Sequence, residues 1–203
     1  ISSAQRISRT INESWNFHKD GETSDILVNI PHTWNAEDSR DEIPGYFRGK
    51  GFYSKTLTIN EEISGNSFFL NFEGAYQTTD VYVNGRHAGT HYGGYTAFCF
   101  DISEYLKPGE NLLEITVDNS LDENIPPLTA DFTFFGGIYR DLTLIITPKL
   151  HISTTHYATS GVYISTSDED GNTAVANVRT FLSNDGDTDC TAGAQVGTGQ
   201  DDT

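Results

Sequence analysis

Acids dominate the side chains that could do chemistry in this 203-residue chain. There are 29 Asp and Glu against 12 Lys and Arg, a formal net charge of −17. Two acidic runs carry the residue types of a calcium loop. Such a loop needs oxygen ligands at alternate positions, a glycine at the sixth and a bidentate Glu at the twelfth. Asp168, Asp170 and Asn172 supply the alternation, but Thr173 stands at the glycine position and Arg179 at the glutamate position. Asp185, Asp187 and Asp189 are followed by Cys190 and Val196 at the same two places. Both runs read as solvated turns. The six histidines show no paired zinc spacing. No serine sits in a nucleophile elbow. Gly49-Lys50-Gly51 lacks the third glycine and the following helix of a dinucleotide loop. The motifs therefore assign no catalytic residue, no metal ligand set and no cofactor.

The elements that must position any site are strands. No stretch of 10 or more residues keeps a helical apolar period, whereas short runs with period two recur. Phe52–Ile59, Phe68–Phe72, Asp80–Asn84, Leu113–Val117 and Leu142–Ile146 are predicted strands, with Phe68, Leu70 and Phe72 on one face. Asn84-Gly85 predicts a type I′ hairpin turn, in which both central residues take positive φ. Ile102–Leu106 predicts one helical turn. After Thr147-Pro148 a second set begins: His151–Tyr157, Gly161–Thr166 and Ala174–Leu182. Many short strands punctuated by Gly and Pro predict an all-β chain, a jelly-roll sandwich over 1–148 and an immunoglobulin-like sandwich from 149 to 203. About 55 residues are too few for the roughly 100 of such a sandwich, so the second domain is expected to be incomplete. The start at Ile1 without any Met, and the Gly-rich, strand-free run 197–203, predict a piece of a longer protein.

Charge narrows the partners. A surface at −17 repels phosphate, which excludes nucleic acid, and offers nothing to an anionic membrane surface. No apolar run approaches the ~18 residues of a membrane-spanning helix. Cys99 and Cys190 form neither a disulfide framework nor a metal motif, and a bridge between them has no support in the spacing.

One set of motifs is specific when taken together. Residues 72–101 read FEGAYQTTDVYVNGRHAGTHYGGYTAFCFD; IPHTWN (30–35) and RGKGFYSKTLTI (from Arg48) precede it; LLEITVDN (112–119) and DFTFFGGIYRD (131–141) follow. In this order the pieces resemble the N-terminal sugar-binding domain of glycoside hydrolase family 2, the family of β-galactosidases, β-glucuronidases and β-mannosidases. The resemblance covers roughly residues 12–148. It implies a galactose-binding-domain-like jelly roll, then an immunoglobulin-like sandwich, then a TIM barrel. The barrel would carry the two carboxylates of a retaining glycosidase, about 5–5.5 Å apart. A barrel needs about 250 residues, so the chemistry is expected outside this chain. The overall likeness of the IPHTWN and GGIYRD stretches leans towards a β-galactosidase.

The resemblance also implies site residues. Asp131 matches an Asp that reaches from the first domain into the barrel's pocket and accepts hydrogen bonds from sugar hydroxyls; the competing reading is an exposed loop acid. Asn35, Tyr46 and Arg48, from the long polar segment 31–48, are candidates for the same site, with a structural role as the alternative. Phe132, Phe134, Phe135 and Tyr139 have the rings to stack on a sugar, or to pack against the barrel. Trp15 and Trp34 read as core anchors. The longer enzyme is expected to bind carbohydrate, to allow a homo-oligomer, and to use sodium or magnesium, for which this chain shows no complete ligand set. A periplasmic or secreted location fits an enzyme of external glycans, with the cytoplasm open. A free-standing carbohydrate-binding module or lectin is the alternative function.

Overall fold

The computed structural model describes residues 6–38, 45–168 and 174–193. Parts of several readings lie outside them: positions 39–44 of the polar loop, Asp170, Asn172 and Thr173 of the first acidic run, Val196 of the second, and the 197–203 tail. The described chain is all β. Its strands are β1 (Ile7–Thr10), β2 (Trp15–Lys19), β3 (Ile26–Val28), β4 (Lys50–Ile59), β5 (Asn66–Phe72), β6 (Thr78–Val83), β7 (Arg86–Tyr92), β8 (Phe98–Asp101), β9 (Gly109–Asp118), β10 (Leu142–Pro148), β11 (Leu150–Ile152), β12 (Val162–Asp168), β13 (Ala174–Thr180) and β14 (Leu182–Asn184).

Ten strands build a jelly-roll sandwich from two antiparallel sheets. One has the order β1-β10-β5-β8 and the other β3-β2-β4-β9-β6-β7. Alternation decides which side chains fill the space between them. Phe68, Leu70 and Phe72 of β5 and Leu142, Leu144 and Ile146 of β10 meet Tyr53, Leu57 and Ile59 of β4, Leu113, Ile115 and Val117 of β9, and Val81 and Val83 of β6 in one buried cluster. Trp15 is fully buried there and donates its indole N–H to the Ile11 carbonyl at 2.7 Å. The Asn84-Gly85 hairpin has positive φ at both residues, 53° and 74°, as the turn chemistry requires. The helical turn after Asp101 is a single 3-10 turn at Ser103–Tyr105.

The other face of the four-stranded sheet is also covered. Ser67, Phe69 and Ile145 point away from the main core yet are buried. The ring of His151 lies 5.2 Å from that of Phe69, and the Ser67 hydroxyl donates to the Asp185 carboxylate at 2.6 Å. Both partners come from beyond residue 148.

There the chain forms two two-stranded sheets, β11-β14 and β12-β13. Two strand predictions are shortened. His151–Tyr157 keeps strand only to Ile152; residues 154–159 bend and turn instead, with left-handed φ values of 54° and 51° at Tyr157 and Ala158 and Thr159 N–H on the His156 carbonyl. Ala174–Leu182 is interrupted at Phe181, whose N–H donates to the Gly161 carbonyl and whose carbonyl accepts from Ser153 N–H. Ile164, Leu182 and Val175 are 69%, 51% and 40% exposed.

Candidate functional site

Several elements of the jelly roll converge on the loop from Asp131 to Gly137. It bears no regular structure, so its backbone groups need partners from elsewhere. The IPHTWN stretch supplies several. His32 N–H donates to the Ile138 carbonyl at 2.8 Å, and Trp34 N–H to that of Gly136 at 3.2 Å. Asn35 is fully buried; its amide nitrogen donates to the Phe134 carbonyl at 3.0 Å while its oxygen accepts from Gly136 N–H at 2.9 Å. Asn119, at the end of β9, donates to the same Phe134 carbonyl at 3.0 Å and accepts from Gly49 N–H at 2.8 Å. One side chain thus ties the loop to the start of β4.

Gly137 explains why the loop must close as it does. Its φ is +126°, and a Cβ there would collide with the His32 carbonyl oxygen and the Tyr53 hydroxyl. Tyr53 and His32 share a hydrogen bond at 2.8 Å beneath it. Burial pushes the Tyr53 hydroxyl well above its ordinary value and lowers His32 to about 4, so His32 is neutral at physiological pH.

Aromatic contacts complete the cradle. Phe134 is stacked on Tyr76 at 5.7 Å, and the Arg48 guanidinium lies 5.0 Å from the Phe134 ring. Arg48 also donates from Nε to the Asn119 carbonyl at 2.8 Å, and the Tyr46 hydroxyl accepts from Phe134 N–H at 3.4 Å. Trp34 stacks on Phe17 at 5.9 Å under the loop.

The structure therefore brings Asn35, Tyr46 and Arg48 together around Phe134, three residues from Asp131. Asn35 has no exposed surface in this chain and spends its amide on backbone groups. Tyr46 and Arg48 are half-buried and keep some surface beside the loop. Asp131 is exposed, and its carboxylate has no hydrogen bond or ion pair among the described residues. Next to it Phe132 and Phe135 are about half exposed, and with Tyr76, Tyr95 and Tyr139 they line an apolar hollow of about 250 Å³. Tyr139 caps the hollow by donating its hydroxyl hydrogen to the Gly94 carbonyl. The arrangement offers a free carboxylate acceptor beside an aromatic wall, with no acid–base pair of its own built around it.

Asn119 and Asp38 were not singled out by sequence. Asn119 closes the VDN stretch, and that motif was the available signal. Asp38 accepts from Phe47 N–H at 2.8 Å and steadies the far arm of the polar loop. Among the described residues, no group of three or more His, Cys, Asp or Glu could hold a metal ion. Cys99 and Cys190 are both free thiols, and burial raises Cys99 to about 12.

Comparison with known proteins follows this geometry. Residues 2–148 match the model for glycosyl hydrolases family 2, sugar binding domain. A β-glucuronidase of Bacteroides fragilis is 43% identical over 79% of this chain and 24% of its own length. A β-galactosidase of Thermoanaerobacter pseudethanolicus is 35% identical over 74% of this chain and 21% of its own. The crystal structure of an FMN-binding β-glucuronidase from Facaelibacterium prausnitzii L2-6 superposes with a TM-score of 0.84 at 33% identity, over 90% of this chain and 29% of that one. The chain thus spans about a quarter of the length of these relatives.

Proposed function

Since the chain belongs to glycoside hydrolase family 2 and contributes its N-terminal sugar-binding domain, we propose that it serves a retaining exo-β-glycosidase whose acid–base and nucleophilic carboxylates lie on a barrel beyond these residues. Its part is to present the 131–137 loop. Asp131 accepts hydrogen bonds from hydroxyls of the terminal sugar, and charge-assisted bonds of this kind are the strong ones. The apolar wall of Phe132, Phe135 and Tyr95 packs on the barrel beside the pocket. Asn35, Tyr46 and Arg48 set the loop's height and angle through Phe134. The observation that carries this reading is the contrast within one loop: a backbone fastened at Phe134, Gly136 and Gly137, and an Asp131 carboxylate without a partner among the described residues.

The substrate is a terminal β-linked glycoside. Relatives of both names support β-glucuronides and β-galactosides; the 43% identical relative puts the glucuronide first. Strands β11 to β14 open the sandwich that joins the jelly roll to the barrel. Sodium or magnesium finds no ligand set among the described residues, so no step is assigned to a metal in this chain. An enzyme of external or imported glycans would work outside the cell or in the periplasm. The test is hydrolysis of nitrophenyl β-glucuronide, β-galactoside and β-mannoside by the full-length protein. Cleavage of one with retained anomeric configuration is expected; no cleavage of any would overturn the reading.

A further inference from the structure

The six-stranded sheet has a second face, opposite the buried core. Its registers align side chains in rows. His18 of β2, Phe52 of β4, Thr116 of β9 and Asp80 of β6 form one row; Asn16, Ser54, Glu114 and Tyr82 form the next. These rows point outward because the residues between them, such as Phe17, Tyr53, Ile115 and Val81, point into the core. Between the rings of Phe52 and Tyr82 the sheet holds a groove of about 460 Å³, floored by Ser54, Glu114 and Thr116. That volume lies within the ~300–1,000 Å³ common for small-molecule sites.

The walls are fixed. His18 is stacked on Phe52 at 4.9 Å and hydrogen-bonded to Asp25 at 2.8 Å. Tyr82 leans on His87 at 4.9 Å, and Asp80 holds both His87, at 3.1 Å, and the Thr90 hydroxyl. The floor is not satisfied in the same way. The Glu114 carboxylate is half-buried at the centre of the row and has no hydrogen-bond partner among the described residues. An unpaired carboxylate here is an acceptor open to a ligand's hydroxyl donors, and charge-assisted bonds of that kind are the strong ones.

We infer that this groove is a second ligand site, distinct from the Asp131 loop, and that its ligand is a neutral saccharide. A sugar ring presents C–H faces to Phe52 and Tyr82 and hydroxyl donors to Glu114, with Ser54 and Thr116 hydroxyls free to pair with the remainder. Anionic ligands are disfavoured twice, by Glu114 itself and by the net charge of −17. An apolar protein partner would meet a floor of Ser54, Thr116 and Glu114 that it could not pair. The site binds without cleaving, so its role is to hold the enzyme on a glycan chain.

The test is affinity electrophoresis of the full-length protein in native gels containing soluble xyloglucan, galactan or arabinoxylan, with polygalacturonate as the anionic counterpart. Retardation by at least one neutral polysaccharide and none by polygalacturonate is expected. Glu114→Gln, nearly isosteric, should weaken that binding about tenfold, the worth of one charge-assisted hydrogen bond, and Tyr82→Ala should weaken it further, while both variants unfold at the wild-type temperature. Asp131→Ala should leave the retardation unchanged. No retardation by any neutral polysaccharide, retardation that survives Glu114→Gln combined with Tyr82→Ala, or retardation lost in Asp131→Ala would each overturn the proposal.

Discussion

The jelly roll and the strands after residue 148 are made from similar residues and reach opposite outcomes. In the first, two sheets close over one another, and alternation buries every second side chain of β4, β5, β9 and β10 in a shared core. In the second, β12 and β13 pair along seven residues each, but among the described residues no further sheet lies over them, and Ile164, Val175 and Val178 are exposed. A hairpin without a covering layer is at best marginally stable. Pairing of strands is therefore not what separates the two regions; a second layer is. The 131–137 loop lies on the layered side of this contrast and is tied to it through Asn35 and Asn119.

The strongest way to break this contrast is to separate the regions. Residues 149–203 expressed alone should give the collapsed amide spectrum of an unfolded chain by NMR, whereas residues 1–148 should give a dispersed one. The shortened jelly roll should lose stability by urea unfolding, since removing His151 uncovers Phe69, worth about 1.5–3 kcal/mol when buried. A dispersed spectrum from 149–203 would show that the second region needs no covering layer.

Within the layered region, the loop's fastening can be cut. Asn35→Ala leaves the Gly136 N–H without its acceptor and removes one of two donors from the Phe134 carbonyl, so it should cost about 2–3 kcal/mol in urea unfolding. A change under 0.5 kcal/mol would mean the loop is not tied by this amide.

Acid should loosen the same region. The folded state holds His32 near 4, below its ordinary 6.5. The unfolded chain therefore binds a proton first as pH falls, and stability present above pH 6.5 is lost between about 6.5 and 4. Allowing for solvent screening of a partly exposed ring, the loss is on the order of 2 kcal/mol. Comparing the wild type with His32→Gln at pH 7 and pH 4.5 isolates it: the variant should show the shallower acid slope.

The smallest expected effect lies at the joint. Ser67→Ala removes the hydroxyl that reaches Asp185 and should cost about 1 kcal/mol in the 203-residue chain but nothing in residues 1–148. An equal cost in both would place the Ser67 contribution inside the jelly roll.

Much of this was legible in the residues. Alternating or strand-like runs gave β4, β5, β6 and β9, whose core-facing side chains recur at every second position, and the more continuous apolar run Leu142–Ile146 gave β10, which buries residues on both faces. Strands β1 and β3 were not readable: their side chains are mostly exposed, so no burial pattern marks them, and they exist by pairing with β10 and β2. The long strand predicted over His151–Tyr157 stops at Ile152, after which 154–159 bend and turn through the left-handed pair Tyr157-Ala158, a backbone course that neither residue type advertises. For the site, the resemblance picked out Asp131, and the structure places Asn35, Tyr46 and Arg48 around Phe134 of the same loop. Spacing alone could not reveal that the amide of Asn35 is consumed by backbone, since a buried Asn and a ligand-binding Asn look alike in sequence. Asn119 was visible only as the end of a strand motif, and its span from Gly49 to Phe134 needed three dimensions.

The central claim is that the jelly roll lends Asp131 to a sugar pocket completed elsewhere. The most direct measurement is kcat/KM of the full-length protein for its best nitrophenyl β-glycoside, in wild type and Asp131→Ala, alongside the unfolding temperature of each. The account predicts a loss of about 10–100-fold in kcat/KM, the worth of a charged hydrogen bond to the sugar, with the unfolding temperature unchanged. An unchanged kcat/KM, or a loss matched by a fall in unfolding temperature, would contradict it.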